Sequence, residues 1–394
     1  MRLADRVLAI QPSVTLAITA KAKELKAAGE DVLPMAAGEP DFPTPELIRA
    51  ACVRAMEAGH TGYAPSAGIP ALREVIRART RAALDVDYGD DQVVVGVGAK
   101  QCLFNAMQAL LQPGDRAAVQ TPYWVSYPAQ VILAGAEPVA LPMVDGMGLN
   151  QPALIEQAEA GLRLLVLNSP SNPSGQVLPA GDLDAVAEVV RQHDLFVLSD
   201  DIYDQLAYEG RPPHLLKRHP DLADRTLVIN GVSKTYSMTG WRLGWALGPP
   251  KVIAAMRKIQ DQSTSNAVTF VQHAAVAALE APDELVAGMR AAFAERRVAL
   301  VEGLAGLDGV TCRMPAGAFY AFPSFHAVLG RMLAGVPVES TLKLAELLLE
   351  RERVAVIPGE AFGAPGHLRF SFACSLETIT EAIERVGRLL SALD

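Results

Sequence analysis

Short apolar runs alternate along this chain with longer segments whose apolar residues recur at helical spacing. The helical spacing is clear in residues 100–111 and 182–191. Five apolar runs have the length and composition of buried strands: Asp91–Gly96, Arg116–Gln120, Leu162–Asn168, Leu195–Asp200 and Thr226–Asn230. Alternation of this kind predicts an α/β fold in which a mostly parallel sheet lies between layers of helices.

The pattern changes in the last third of the chain, where helical spacing dominates after about residue 250. Strand-like runs return at Ala318–Phe322, Val354–Ile357 and His367–Phe372, which predict a second, smaller sheet. The first 45 residues end in a segment rich in Pro and Gly, and we expect them to pack on this second unit. We therefore predict a large domain at residues 46–285 and a smaller α+β domain made of residues 1–45 and 286–394.

Composition narrows the possible functions. The chain has 35 Lys and Arg against 44 Asp and Glu, a net charge of -9, and no long run of either sign. Nucleic acid is therefore not an expected partner, because its backbone calls for clustered positive charge. No segment has the length and apolarity needed to span a bilayer, so no membrane partner is expected either.

Four cysteines are scattered without a CxxC pair. This spacing fits neither a disulfide framework nor a zinc site. We expect reduced thiols, no metal and a cytoplasmic location.

Lys234 lies in a segment that is unusual for its chemistry. Small hydroxyl residues surround the lysine, and Arg242 follows eight positions later. The segment comes directly after the predicted strand Thr226–Asn230, and ligand sites of α/β sheets gather at the carboxyl ends of strands. A lysine attacks carbonyl groups only when it is neutral, so a catalytic role requires burial or a nearby cation. By itself the pattern also fits an exposed surface lysine.

Other polar groups follow other predicted strands. The turn Gly96–Gln101 joins a strand to a helix and offers free amide groups to a phosphate, although it matches neither a P-loop nor a GxGxxG fingerprint. Asn172 lies in a turn fixed by two prolines, and Asp200 ends a buried strand. Trp124 offers an aromatic face after the second strand. Each has a structural alternative: an ordinary turn, a helix cap or core packing.

Together these groups resemble the class I and II aminotransferases, enzymes of fold type I that use pyridoxal 5'-phosphate. The resemblance runs from about Ser13 to Arg369. It is carried by Ala37–Phe42, Tyr63–Gly68, Asn172–Gly175, Asp200–Tyr203, Ser233–Lys234, Thr239–Gly244 and His367–Ser371, in the family's order. The runs Thr121–Tyr127 and Gln262–Asn266 are most similar to the prokaryotic-type aspartate aminotransferases.

The resemblance implies a role for each matched residue. Lys234 would form the Schiff base with the cofactor and carry the substrate's proton, and Asp200 would pair with the pyridine nitrogen. Tyr203 and Asn172 would donate to the ring oxygen, while Trp124 would stack on the ring. Phosphate binding is implied for Gly98, Ala99, Lys100, Ser233, Arg242 and, from a neighbouring subunit, Tyr63. The chain departs from the family pattern at Gly231, where the family has a serine. The expected active unit is a homodimer with shared active sites.

Substrate recognition is implied in the same way. Arg369 would bind the substrate's α-carboxylate, and the backbone amide of Gly38 would lie close to that group. Trp124 and Asn172 would also contact the substrate. Lys100 occupies the position that holds a distal carboxylate in the prokaryotic-type branch. Thr15 matches a threonine of members that transaminate prephenate.

The implied reaction moves the amino group of an L-amino acid, with L-aspartate favoured, to 2-oxoglutarate by a ping-pong mechanism. Prephenate or an aromatic amino acid is the alternative substrate, and a β-lyase would share most of these residues. Some transcription regulators carry a similar domain beside a DNA-binding module. The matching motifs begin by about residue 13, so such a module is not expected here.

Overall fold

The computed structural model describes residues 2–10, 14–144, 148–333 and 335–394. The helices of this part are α1 Asp5–Leu8, α2 Val14–Ala27, α3 Glu46–Glu57, α4 Pro70–Leu84, α5 Ala99–Leu110, α6 Ser126–Leu133, α7 Gln151–Glu159, α8 Ala180–Gln192, α9 Leu215–Arg218, α10 Pro250–Asp261, α11 Thr269–Glu280, α12 Glu284–Ala305, α13 Thr341–Glu352 and α14 Leu376–Leu390. The strands are β1 Val93–Gly96, β2 Arg116–Thr121, β3 Glu137–Pro142, β4 Leu164–Asn168, β5 Phe196–Asp200, β6 Thr226–Gly231, β7 Gly244–Leu247, β8 Tyr320–Ala321, β9 Met332–Leu333, β10 Val336–Pro337, β11 Ile357–Pro358 and β12 Leu368–Ser371.

The main sheet has seven strands in the order β1-β7-β6-β5-β4-β2-β3. All run parallel except β7, which pairs antiparallel with both β1 and β6. The five strands predicted from apolar runs are all present, and the predicted α/β fold is confirmed. Strands β3 and β7 were not predicted. The first is an edge strand with a proline at either side of its apolar residues, and the second has only four residues.

Side chains of each central strand alternate between two apolar cores, one on each face of the sheet. Leu164 and Val166 of β4 point into the core that contains α5, α6 and α10, whereas Leu165 and Leu167 point into the core that contains α3, α4, α8 and α11. Because both faces are covered, the strands read as continuous apolar runs rather than as alternating ones. The polar residues that follow them are left at the sheet's edge.

A second sheet is formed by β11, β12 and β8, in antiparallel order. Strands β8 and β12 lie inside the predicted runs Ala318–Phe322 and His367–Phe372, whereas the predicted run Val354–Ile357 overlaps β11 only at Ile357. The segment before residue 45 contacts this part of the chain. The backbone amide of Leu33 donates to the carbonyl of Arg353 at 2.8 Å, and the amide of Ser371 donates to the carbonyl of Met35 at 2.7 Å. These contacts support the predicted packing of the N-terminal segment, while the domain boundaries stay a prediction. None of the helices described is both long and apolar enough to cross a membrane.

Candidate active site

Lys234 lies three residues beyond the end of β6, at the carboxyl edge of the main sheet. Its Nζ donates a hydrogen bond to the backbone carbonyl of Gly38 at 2.5 Å and lies 5.8 Å from the centroid of the Phe319 ring. The amine is therefore held between the main sheet and the segment that joins the N-terminal residues to α3.

The surroundings of Lys234 make its amine easier to deprotonate. Burial is the main cause, and it lowers the pKa of Lys234 to about 8. Glu39 acts in the opposite direction, whereas the guanidinium groups of Arg369 and Arg242 and the ammonium of Lys100 lower the pKa further. A lysine with such a pKa supplies a useful fraction of the neutral amine near pH 7.

Asp200 is the last residue of β5, and only 3% of it is exposed. Its Oδ2 accepts a hydrogen bond from the hydroxyl of Tyr127 at 2.7 Å, and its Oδ1 accepts one from the amide of Ile202 at 3.3 Å. Burial raises the pKa of Asp200 to about 6 despite these hydrogen bonds. A cation brought against this carboxyl group would stabilise the charged form and lower the pKa again.

Tyr127 was quoted as part of a motif but was given no role from the sequence. It is buried at the start of α6 and packs edge-on against Trp124, with the ring centroids 5.3 Å apart. Trp124 precedes the helix and Tyr127 lies in its first turn, so the sequence carried no clear signal for this ring contact. The hydrogen-bond partner of Tyr127, Asp200, comes from a distant strand and could not be read from the local sequence.

We expect Tyr127→Phe to lower kcat by roughly tenfold, because it removes a hydrogen bond to a charged group in a buried place. Loss of this donor should also raise the pKa of Asp200, so the acidic limb of the kcat profile should move to higher pH. Steady-state kinetics across pH measure both effects. Tyr208→Phe is the control, since that hydroxyl donates to the carbonyl of Ala318 instead. Unchanged kcat and an unchanged acidic limb in Tyr127→Phe would contradict this role.

Arg369 lies inside β12 and is 3% exposed. Its Nη1 donates to Asn172 Oδ1 at 2.9 Å, and its Nη2 donates to the carbonyl of Ala36 at 3.0 Å. Its Nε is buried and has no partner in the described part of the chain. The guanidinium is thus fixed in orientation by two hydrogen bonds, while its Nε–H and its other N–H groups are left for a ligand, an arrangement suited to an anion.

Two tyrosine hydroxyl groups meet beside this arginine. Tyr203 and Tyr320 are both buried, and their hydroxyl oxygens lie 3.1 Å apart. The Tyr320 ring also lies 4.5 Å from the guanidinium carbon of Arg369. Tyr203 was predicted from the sequence, but Tyr320 was predicted only as part of a strand. Its contact with Tyr203 depends on how the two sheets meet.

The turn before α5 approaches Arg242 very closely. Gly98 has φ of +83°, and a Cβ at that position would lie 2.7 Å from Arg242 Nη2. A Cβ at Gly244 would overlap the backbone nitrogen of Ala99. The Arg242 guanidinium therefore lies beside the free amide groups at the start of α5, a combination that binds phosphate. Because β7 is antiparallel, its first residues come to the same edge as the ends of the parallel strands.

Lys100 lies in the first turn of α5, beside Arg242, and its side chain extends to the ring of Trp124. Its Nζ lies 4.8 Å from the centroid of the Trp124 ring, a cation–π distance. Burial lowers the pKa of Lys100, and the neighbouring Arg242 lowers it further. Ser233 is also buried, and its carbonyl accepts the amide of Met238 at 3.1 Å.

Two predicted residues stand apart from this group. Tyr63 is 97% exposed. Thr15 lies in the first turn of α2, and its Oγ1 is buried without a hydrogen-bond partner among the described residues. The contacts described here do not bring either of them to Lys234.

The chain matches the family of class I and II aminotransferases over residues 30–386. The chain belongs to this family. It is therefore an aminotransferase that depends on pyridoxal 5'-phosphate, and the predicted fold type and cofactor are confirmed.

Named relatives agree with this membership. The chain is 44% identical to an aspartate aminotransferase of Geobacillus stearothermophilus over the full length of both. It is 42% identical to an aspartate/prephenate aminotransferase of Cereibacter sphaeroides, covering 99% of each chain. The crystal structure of the aspartate aminotransferase from Rhizobium meliloti superposes with a TM-score of 0.96 at 38% identity, covering 100% of each chain.

The aminotransferase's side chains fit its cofactor. A buried carboxyl group at Asp200 suits a ring nitrogen that carries a proton, and the close approach of Gly98 to Arg242 forms a cradle for a phosphate. The amine of Lys234 has the lowered pKa that attack on an aldehyde requires.

Proposed function

We propose that this aminotransferase moves the amino group of L-aspartate to 2-oxoglutarate by a ping-pong mechanism, with its cofactor held by Lys234. One observation carries the proposal. Lys234 and Arg369 contact the same short segment, at the carbonyls of Gly38 and Ala36, so an amine and a carboxylate-binding guanidinium face one place. An α-amino acid has the matching pair of groups.

Pyridoxal phosphate supplies an aldehyde that accepts amines and a cationic ring that withdraws electrons from the substrate's Cα. The remaining work belongs to the chain. Arg369 binds the α-carboxylate and so fixes which bond at Cα faces Lys234. Lys234 would serve as the base that accepts the proton from Cα and as the acid that returns it.

The charges around the ring are set by three further residues. Asp200 would hold the ring nitrogen in its protonated form by the charge of its carboxylate, which the hydrogen bond from Tyr127 stabilises. Asn172 and Tyr203 would donate hydrogen bonds to the ring oxygen. Arg369 holds Asn172 Oδ1 at 2.9 Å, which leaves the amide NH2 of Asn172 free to donate.

Aspartate is favoured by the second lysine of the site. Lys100 Nζ stands over Trp124 and can pair with a distal carboxylate, whereas with an aromatic substrate it can remain on the indole ring. The second candidate substrate is prephenate or an aromatic amino acid. The relative from Cereibacter sphaeroides that is named for both aspartate and prephenate favours it.

Product analysis separates this function from a lyase of the same fold. Incubation with aspartate and 2-oxoglutarate should yield oxaloacetate and glutamate in equal amounts. Formation of pyruvate and ammonia in their place would contradict the proposal.

We expect Lys100→Ala to lower kcat/KM for aspartate by roughly 10- to 100-fold, since it removes one charged hydrogen-bond donor to the distal carboxylate. The value for phenylalanine should change less than about threefold, because that side chain offers Lys100 no ionic partner. Stopped-flow measurements of the half-reaction with aspartate and of that with phenylalanine give the two values of kcat/KM. Lys251→Ala, at an exposed lysine in the first turn of α10, is the control. An equal loss for both donors would assign Lys100 to the phosphate instead.

We further propose a cytoplasmic homodimer that shares its active sites. Tyr63 is 97% exposed, and Leu47, Val53 and Met56 on neighbouring α3 are also exposed. Because the Tyr63 side chain is almost fully exposed, its hydroxyl is free to bind the cofactor phosphate in the active site of a second copy. The four cysteines are unpaired and three of them are buried, which fits a reducing compartment.

We expect Tyr63→Phe to weaken cofactor binding by roughly tenfold, because one hydrogen bond to the phosphate is lost. Sedimentation should still give a dimer. Coexpression of Tyr63→Phe with Lys234→Ala tests the sharing directly. If Tyr63 acts on the partner's site, each hybrid dimer has one site with both changes and one site that binds the cofactor with wild-type affinity. Hybrids in which every site is impaired would contradict it.

A further inference from the structure

Residues 38–44, called the clip below, cross over residues 234–242, called the lysine segment. The carbonyl of Gly38 accepts Lys234 Nζ at 2.5 Å, and Oε2 of Glu39 accepts the Thr239 hydroxyl at 2.7 Å. Thr44 makes two further hydrogen bonds to the same segment. The clip therefore touches the lysine segment along most of its length.

The lysine segment contains two residues in an uncommon backbone conformation. Ser237 has φ of +51° and Arg242 has φ of +55°, the left-handed region that side-chain-bearing residues rarely adopt. Between them lies the short 3-10 helix Thr239–Trp241. Such conformations persist when the surrounding structure fixes them, and they gather at ligand sites.

Thr44 is hydrogen-bonded to Ser237, which precedes this helix, and to Trp241, its last residue. Its hydroxyl donates to the carbonyl of Ser237 at 2.6 Å and accepts the indole Nε1–H of Trp241 at 3.1 Å. The indole N–H of Trp241 can only donate, and the carbonyl of Ser237 can only accept. The Thr44 hydroxyl must therefore donate to Ser237 and accept from Trp241. Because Pro43 and Pro45 flank Thr44, the backbone of the clip is itself restricted at this point.

We propose that Thr44 is a positioning residue for cofactor binding. Its hydroxyl holds the lysine segment in the conformation that brings the Arg242 guanidinium to Gly98 and the Lys234 amine to Gly38. Thr44 acts through the backbone of Ser237 and the ring of Trp241. The inference rests on the proposed roles of Lys234 and Arg242.

The test compares cofactor retention by the holoenzyme of four variants, measured by equilibrium dialysis with pyridoxal phosphate. Thr44→Val keeps the shape and removes both hydrogen bonds, so its dissociation constant should rise roughly 10- to 30-fold. Thr44→Ser keeps the hydroxyl and should stay within about threefold of wild type. Trp241→Phe removes only one of the two bonds and should give a rise of roughly three- to tenfold, which covers the case in which Thr44→Val does not fold.

Thr341→Val controls for a general loss of stability. Thr341 is fully buried, and its hydroxyl donates to Glu360 at 2.6 Å, in a helix of the second unit. We expect a lower Tm for this variant with cofactor affinity within about twofold of wild type. Wild-type affinity in Thr44→Val, or equal weakening in Thr44→Val and Thr341→Val at equal loss of Tm, would overturn the proposal. Borohydride labelling of Lys234 in the wild-type protein separates this outcome from failure of the proposed site itself.

Discussion

Replacing Lys234 with alanine is expected to lower the turnover of aspartate with 2-oxoglutarate by about 10,000-fold or more. Proton transfer by a positioned side chain contributes up to roughly that factor, and this lysine also anchors the cofactor. A free primary amine such as methylamine should restore part of the activity, because the carboxylate-binding Arg369 remains in place. Initial rates with and without the amine measure both effects.

Two variants control this result. Lys234→Arg keeps a cation but cannot deprotonate, so it should be as inactive as the alanine variant. Lys343→Ala removes a partly exposed lysine of α13 that pairs with Glu346, and it should keep wild-type turnover. Wild-type activity in Lys234→Ala would remove the basis of the proposed mechanism.

Asp200→Asn is expected to lower kcat by roughly 100- to 1,000-fold, the effect of losing one preorganised charge against the reacting group. The amide keeps the shape of the side chain but cannot hold a proton on the ring nitrogen by its charge. Binding of the substrate carboxylate depends on Arg369 and should change little. Single-turnover kinetics with aspartate measure the rate constant of the chemical step and the dissociation constant of the substrate separately.

Asp204→Asn is the matched control, since burial also raises the pKa of Asp204 to about 6. Asp204 lies one turn further along the chain, and its replacement should change kcat by less than about threefold, since it holds no group of the site. Equal losses in the two variants would show that any buried acid in this region supports the fold, and that Asp200 has no special role.

Much of the fold could be predicted because the main sheet is covered on both faces. That environment gives β4, β5 and β6 continuous apolar runs, and each of these runs was found from the sequence. The edge strand β3 has only one fully buried residue, and β7 begins with Gly244 and is followed by Gly248, which are typical of turns. The antiparallel direction of β7 therefore had no local signal, although it brings Arg242 to the site.

The same limit applies to the site. Asp200 and Lys234 follow strands of a parallel sheet, so topology alone places them at one edge. Arg369 lies within a strand of the other sheet, and only the resemblance to a family pointed to it. The hydrogen bonds from Tyr127 to Asp200 and between Tyr203 and Tyr320 join residues 73 and 117 positions apart. Such pairs are set by tertiary packing, which a local pattern does not encode.

Reduction of the holoenzyme with borohydride, followed by peptide mapping by mass spectrometry, tests the central claim most directly. This treatment converts the bond between the cofactor and its lysine into a stable one. The account predicts that the added mass lies on the peptide that contains Lys234, at about one label per chain. A label on a peptide without Lys234, such as the one that contains Lys100, would contradict it.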